Sequence, residues 1–171
     1  MIVRMSYLDR EYQSLKDELD RAWYDTVSLG SFIGGEPVRE FEEQLSQYLD
    51  DAYVISCGNG TDALLAAFMA VEIKNGDEVI MPAFGYISAY EMCRLLGAQP
   101  ILVDINEFYS LHLEGVEKQI TPRTKAIVIQ HLFGQVGTDI MALHDLAKAH
   151  NLILIEDSAQ AIGSTYQNKL A

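Results

Sequence analysis

TKAIVIQHLFGQVGTDIMALHDLAKAHNLILIEDSAQA, residues 124–161, holds two short apolar runs with a helical pattern between them. The runs are AIVIQ (Ala126 to Gln130) and LILIED (Leu152 to Asp157), and the helical segment spans Asp139 to His150. Neither run alternates apolar with polar residues, as expected of strands covered on both faces. Working outward towards the N-terminus, the same alternation repeats. PILVD (Pro100 to Asp104), EVIMP (Glu78 to Pro82) and AYVISC (Ala52 to Cys57) read as strands, with helices over Thr61 to Ile73, Ser88 to Leu96 and Leu113 to Ile120. Strands alternating with helices predict an α/β fold: a mostly parallel sheet with helices on both faces. In such sheets ligands bind beyond the carboxyl ends of the strands, so the residues that follow each run carry the functional question.

Before residue 51 the pattern is helical. Tyr12, Leu15, Leu19, Trp23 and Val27 recur at helical spacing over Asp9 to Ser28. The turn LGSFIGGEP leads to Pro37 at a first helical position, and Val38, Phe41, Leu45, Tyr48 and Leu49 line one face of a second helix.

The bulk properties exclude several classes. The 171 residues carry 12 basic and 25 acidic side chains, a net charge of −13 that nucleic acid phosphates would repel. A phosphorylated small molecule is not excluded, because helix-start N–H groups hold phosphate without lysine or arginine. No apolar stretch approaches the roughly 18 residues of a membrane span, and the charged start MIVRMSYLDREYQ does not read as a signal peptide. The two cysteines, Cys57 and Cys93, form no CxxC pair, which points away from zinc and towards a reducing, cytoplasmic setting.

Four strand ends stand out. After AYVISC comes Gly58-Asn59-Gly60-Thr61-Asp62-Ala63, which reads either as an anion site at a helix start or as a tight turn capped by Asn59 or Thr61. The hexapeptide also fits the dinucleotide pattern GxGxxA, but the following strand ends in Met81-Pro82 and lacks the ribose-binding acid that pattern requires. PAFGYISAY places Phe84 and Tyr86 where an aromatic face could cover a planar ligand, or where both could be packing residues. His131 follows the fourth run, where a structural, hydrogen-bonded histidine is the commoner reading. Asp157 ends the fifth; opposite a pyridine nitrogen, such an acid keeps that nitrogen protonated.

Taken in order, YLDREYQSLKDEL (7–19), GSFIGGEPVREFEEQLSQYL (30–49), GNGTDALLAA (58–67), GDEVIMPAFGYIS (76–88), LLGAQPILVDI (95–105), ITPRTKAIVIQHLFGQ (120–135) and IEDSAQAIGSTY (155–166) resemble the sugar aminotransferases of the DegT/StrS type. Those enzymes have the fold-type I, aspartate-aminotransferase-like fold and use pyridoxal 5'-phosphate (PLP). The resemblance implies that Gly60 and Thr61 grip the cofactor phosphate, with Asp62 contributing backbone. It implies that Tyr86 stacks on the cofactor ring, Asp157 pairs with its nitrogen and Gln160 hydrogen-bonds its hydroxyl. Phe32 is implied to line the sugar-nucleotide entrance, and His131 to act on cofactor or substrate indirectly. Residues 1–50 would then be N-terminal helices with a substrate-side turn, and 51–171 part of the PLP-binding large domain of a homodimer.

The same resemblance implies a Schiff-base lysine further from the acid than the 14 residues that follow Asp157 here. Lys169 matches a hairpin lysine of the family, not the catalytic one. The expectation is therefore an N-terminal part of a longer protein, without the small C-terminal domain and inactive alone. The parent would move an amino group from an amino acid, with glutamate favoured, to a keto-sugar nucleotide. A PLP-dependent sugar dehydratase and a non-catalytic binding protein are the alternatives.

Overall fold

The computed structural model describes residues 6–170; the start MIVRM and Ala171 lie outside the described residues. The chain divides into two compact units, Met1–Ser56 and Cys57–Ala171.

The first unit holds helices α1 (Leu8–Leu29) and α2 (Glu36–Tyr48). Gly30, at a left-handed φ of 64°, ends α1, and its N–H bonds the Val27 carbonyl. Pro37 sits in the first turn of α2, where its missing N–H costs nothing. The apolar stripe read from the sequence remains exposed, with Trp23 at 70% and Phe41 at 55%. Phe32 lies in the turn between the helices and is exposed as well.

The second unit is the α/β body. Its helices are α3 (Gly60–Ala70), α4 (Ser88–Leu95), α5 (Leu113–Gln119) and α6 (Ile140–Ala149). Strands β1 (Glu78–Pro82), β2 (Gln99–Val103), β3 (Thr124–Gln130) and β4 (Ile153–Asp157) form one parallel sheet in the order β2-β1-β3-β4. Side-chain alternation divides the core. Val79, Met81, Ala126 and Val128 face α3 and α4, packing on Leu64, Phe68, Ala89 and Cys93. Ile80, Ile127 and Ile129 face the other way, onto Val116 of α5 and Ile140, Leu143 and Ala147 of α6. The sheet is thus covered on both faces, which explains its unbroken apolar strands. Pro100 is tolerated because β2 is an edge strand. A small hairpin follows, β5 (Thr165–Tyr166) against β6 (Lys169–Leu170), turning through Gln167 and Asn168 at φ of 50° and 64°.

One expected strand is absent. Residues 52–57 carry no strand assignment, and Tyr53 and Ile55 are exposed at 104% and 88%. A strand needs a neighbour to take its ladder bonds. Among the described residues none pairs with AYVISC, and the Ser56 N–H turns instead to Glu42 Oε1 at 2.8 Å.

Glu78 anchors the opposite end of the sheet from the ligand side. It is 3% exposed, accepts from the Thr121 hydroxyl and binds Arg123, with Nε at 2.9 Å. The Thr121 hydroxyl, together with the Arg123 guanidinium, holds its carboxyl below its ordinary value of 4.5, against desolvation that pushes it up. A depressed folded value stabilises above the unfolded value, and that contribution is lost as pH falls through the folded one. Glu78→Gln is expected to cost about 1–2 kcal/mol at pH 7. Urea midpoints measured from neutral pH downward should stay apart above the ordinary value of 4.5 and draw together as pH falls below it. A gap independent of pH would rule out the charge as its source.

Candidate functional site

The order β2-β1-β3-β4 makes the chain leave β1 for β2 on one side while β3 lies on the other. The crevice beyond the carboxyl ends of β1 and β3 is the expected ligand position in such a sheet. A cavity of about 500 Å³ lies at these strand ends. It gathers Gly60, Thr61 and Asp62 from the start of α3, Tyr86 from the loop after β1, His131 from the end of β3, and Asp157 and Gln160 from the end of β4. Phe32 belongs to the other unit.

The GNGTDA turn proves to be both capped and open. Asn59 Oδ1 accepts the Asp62 N–H at 3.0 Å, and Asn59 Nδ2 donates to Asp62 Oδ2 at 3.0 Å. The Asp62 N–H is therefore already engaged. The N–H groups of Gly60 and Thr61 and the Thr61 hydroxyl meet no acceptor among the described residues. They line the cavity at the positive end of α3, an arrangement able to take an anion. A β-carbon at Gly60 would meet that of Ala159 at 3.6 Å, an ordinary contact, so the Ala159 side of the turn does not itself demand glycine.

Asp157 is the last residue of β4 and pairs in register with Gln130 of β3. Its Oδ1 accepts the Ala159 N–H at 3.2 Å, and Gln130 Nε2 lies 3.4 Å from its Oδ2. Gln160 is oriented by the Phe133 N–H, which donates to its Oε1 at 2.9 Å. That bond fixes which end of the amide is the oxygen, so the N–H₂ end is left as a donor. Phe133 holds φ at 60°, next to Gly134 at 80°, and this left-handed pair turns the backbone N–H towards Gln160.

His131 is engaged at both nitrogens. The Gly137 N–H donates to Nδ1 at 3.3 Å, so the proton sits on Nε2 and is donated to Glu156 at 3.0 Å. With a fully buried side chain and both nitrogens occupied, it braces the loop after β3 and has nothing to offer a ligand directly. Cys93 is equally inert, since burial pushes its thiol up to about 11. Lys169 sits on the β5–β6 hairpin and does not line the cavity. Among the described residues no three His, Cys, Asp or Glu side chains gather to hold a metal, and no helix is long and apolar enough to cross a membrane.

Sequence reasoning missed Asn59's double role and, above all, Gln130. A polar residue ending an apolar strand was the signal for Gln130, but its partners lie far away in sequence. Phe84 does not line the cavity: it is half-exposed, its ring 5.8 Å from that of Tyr109, which meets Phe133 edge-on at 5.8 Å.

Comparison with known proteins places this geometry. The pattern of the DegT/DnrJ/EryC1/StrS aminotransferase family matches residues 13–171. UDP-2-acetamido-2-deoxy-3-oxo-D-glucuronate aminotransferase of Pseudomonas aeruginosa is 40% identical over 95% of this chain and 45% of its own length. The crystal structure of Streptomyces venezuelae DesV, in complex with a ketimine intermediate, superposes with a TM-score of 0.89 at 35% identity, over 93% of this chain and 43% of that one. NtdA of Bacillus subtilis, crystallised with bound cofactor PMP, gives a TM-score of 0.87 at 34% identity, over 95% of this chain and 38% of that one. The chain thus spans a little under half the length of these relatives, and its sheet is that of fold-type I PLP-dependent aminotransferases.

Proposed function

The chain belongs to the DegT/DnrJ/EryC1/StrS aminotransferase family, and from that premise we propose that it supplies the cofactor-binding half of a PLP-dependent sugar aminotransferase. The observation that carries the reading is the convergence of Thr61, Tyr86, Asp157 and Gln160 on one cavity at the strand ends.

The donor set suits the cofactor. A pyridine ring bearing a phosphate, a protonated nitrogen and a phenolic oxygen needs an anion-binding helix start, an acceptor for the N–H and a donor for the oxygen. The start of α3, the Asp157 carboxylate and the Gln160 amide supply these three. When bound, PLP supplies an electron sink for the pair released as a C–H bond beside an amino group breaks. Gly60 and Thr61 hold the phosphate, while Asp62 fixes Asn59 and so the shape of the turn. Tyr86 covers the ring and keeps water from one face. Asp157 retains the proton on the ring nitrogen, and Gln160 donates to the ring oxygen. His131 acts indirectly, by holding the loop that orients Gln160.

No lysine is among the described residues that line the cavity, so the residues of this chain supply the cofactor side of the site and not the group that shuttles the proton. Phe32 lines the route of the sugar nucleotide. The complete protein is a cytoplasmic homodimer taking its amino group from glutamate, and the free thiols of Cys57 and Cys93 accord with a reducing compartment. The name of the Pseudomonas relative favours a 3-keto sugar carried on UDP.

The test uses the longest product of the reading frame that carries this sequence, supplied with PLP, glutamate and a panel of nucleotide-linked keto sugars. The expected outcome is amino-sugar nucleotide and 2-oxoglutarate in equal amounts, with a UDP-linked 3-keto sugar as the best acceptor. Absence of 2-oxoglutarate with every acceptor would sink the proposal.

A further inference from the structure

We infer that Gln130, admitted by Gly85, is a positioning residue that ties the ring-covering Tyr86 to the acid Asp157. The inference rests on the reading of the cavity as a PLP site and goes beyond it by naming what sets the geometry of two of its side chains.

Gln130 is the last residue of β3 and only 6% exposed. Its Oε1 accepts the Tyr86 N–H at 3.0 Å, and its Nε2 donates to the Tyr86 carbonyl at 3.0 Å. This reciprocal pair imitates one rung of a sheet ladder, made by a side chain to a loop. The same Nε2 lies 3.4 Å from Asp157 Oδ2. A primary amide has one acceptor and two donors, and all are in use. The amide cannot turn over, because a flip would set donor against donor at the Tyr86 N–H and acceptor against acceptor at its carbonyl. Its second N–H is therefore fixed towards Asp157.

The arrangement depends on Gly85. A β-carbon there would overlap Gln130 Oε1 and stand 2.9 Å from its Cδ. No left-handed φ requires glycine at this position, so the requirement is space for the Gln130 amide. The consequence bears on Tyr86, whose side chain is mostly exposed and has little packing to hold it. Where its ring stands is set through its backbone, and that backbone is held by Gln130. One side chain thus fixes the ring cover from the β1 side and the ring-nitrogen acid from the β4 side relative to each other.

The experiment titrates the longest product of the reading frame with pyridoxamine phosphate, which needs no lysine, and follows the circular dichroism band of the bound cofactor. The unsubstituted protein is compared with Gln130→Ala, Gly85→Ala, the double variant and Gln130→Glu, and thermal unfolding is recorded for each. Both single alanine variants are expected to bind about 10-fold more weakly, with an altered band. The double variant should bind no more weakly than Gln130→Ala, because the clash at residue 85 exists only while Gln130 is present. Gln130→Glu keeps size and acceptor but sets a second carboxylate beside Asp157. Its band should become pH-dependent between about pH 5 and 8, where that of the unsubstituted protein is flat. If Gln130→Ala fails to fold, Gly85→Ala and Gln130→Glu decide the matter. A merely structural Gln130 would lower the unfolding temperature while leaving affinity, band and pH profile unchanged, and that result overturns the inference. So do losses that simply add in the double variant. No binding by the unsubstituted protein would overturn the PLP reading itself.

Discussion

Asp157→Asn is expected to lower kcat/KM of the complete enzyme by at least about 100-fold, the scale of losing one preorganised charge at a reacting group. The substitution keeps size and shape, so the effect isolates chemistry from packing. Asp157 faces two donors, the Ala159 N–H at 3.2 Å and Gln130 Nε2 at 3.4 Å. An asparagine has only one acceptor oxygen, and whichever way it turns, its N–H₂ meets a donor. Gln130 cannot relieve the conflict by flipping, since Tyr86 holds both ends of its amide. On the proposed reading the variant therefore loses the charge that would keep the ring nitrogen protonated, and it also disturbs its neighbour. Steady-state kinetics with glutamate and the best acceptor provide the measurement, and thermal unfolding recorded alongside separates the loss of charge from any loss of fold. A kcat/KM within a few-fold of the parent would remove Asp157 from its assigned role.

What the sequence made legible follows from how local each signal is. EVIMP and AIVIQ announce themselves because both faces of β1 and β3 are buried, which leaves no polar position to break the run. AYVISC carries the same local signal and is no strand, because strand formation is settled by a partner's backbone that the run itself cannot reveal. The turn at Asn59 was ambiguous for a related reason. Cap and anion site draw on the same residue types, and only the folded turn shows the Asn59 cap taking the Asp62 N–H while leaving Gly60 and Thr61 open. His131 reads as structural from base rates, and Glu156 and Gly137 supply the cause. Gln130 was illegible because its role needs Tyr86, 44 residues earlier, Asp157, 27 residues later, and a missing side chain at Gly85.

Phe68→Ala is expected to cost about 3–5 kcal/mol, a large share of the stability of an ordinary domain. Phe68 is fully buried on α3, against Val79, Met81, Ala126 and Val128 of the sheet and Ala89 and Cys93 of α4. Removing the ring leaves a cavity that stiff strands cannot close, so the cost exceeds simple transfer from water. The functional consequence comes through geometry. α3 runs for only 11 residues, and its first turn presents Gly60 and Thr61 to the cavity. An isolated helix of that length has little stability of its own, so packing through Leu64 and Phe68 is what holds its N-terminus at the strand ends. Phe68→Leu, which keeps most of the volume, should cost roughly half as much or less. Chemical denaturation gives the stabilities, and a phosphate or pyridoxamine phosphate titration under native conditions gives the second readout. The expected pattern is weaker binding in Phe68→Ala with near-normal binding in Phe68→Leu. Equal affinity in a folded Phe68→Ala protein would show that the turn keeps its shape through the Asn59–Asp62 bonds alone, and that the packing of the helix behind it is not needed to aim it.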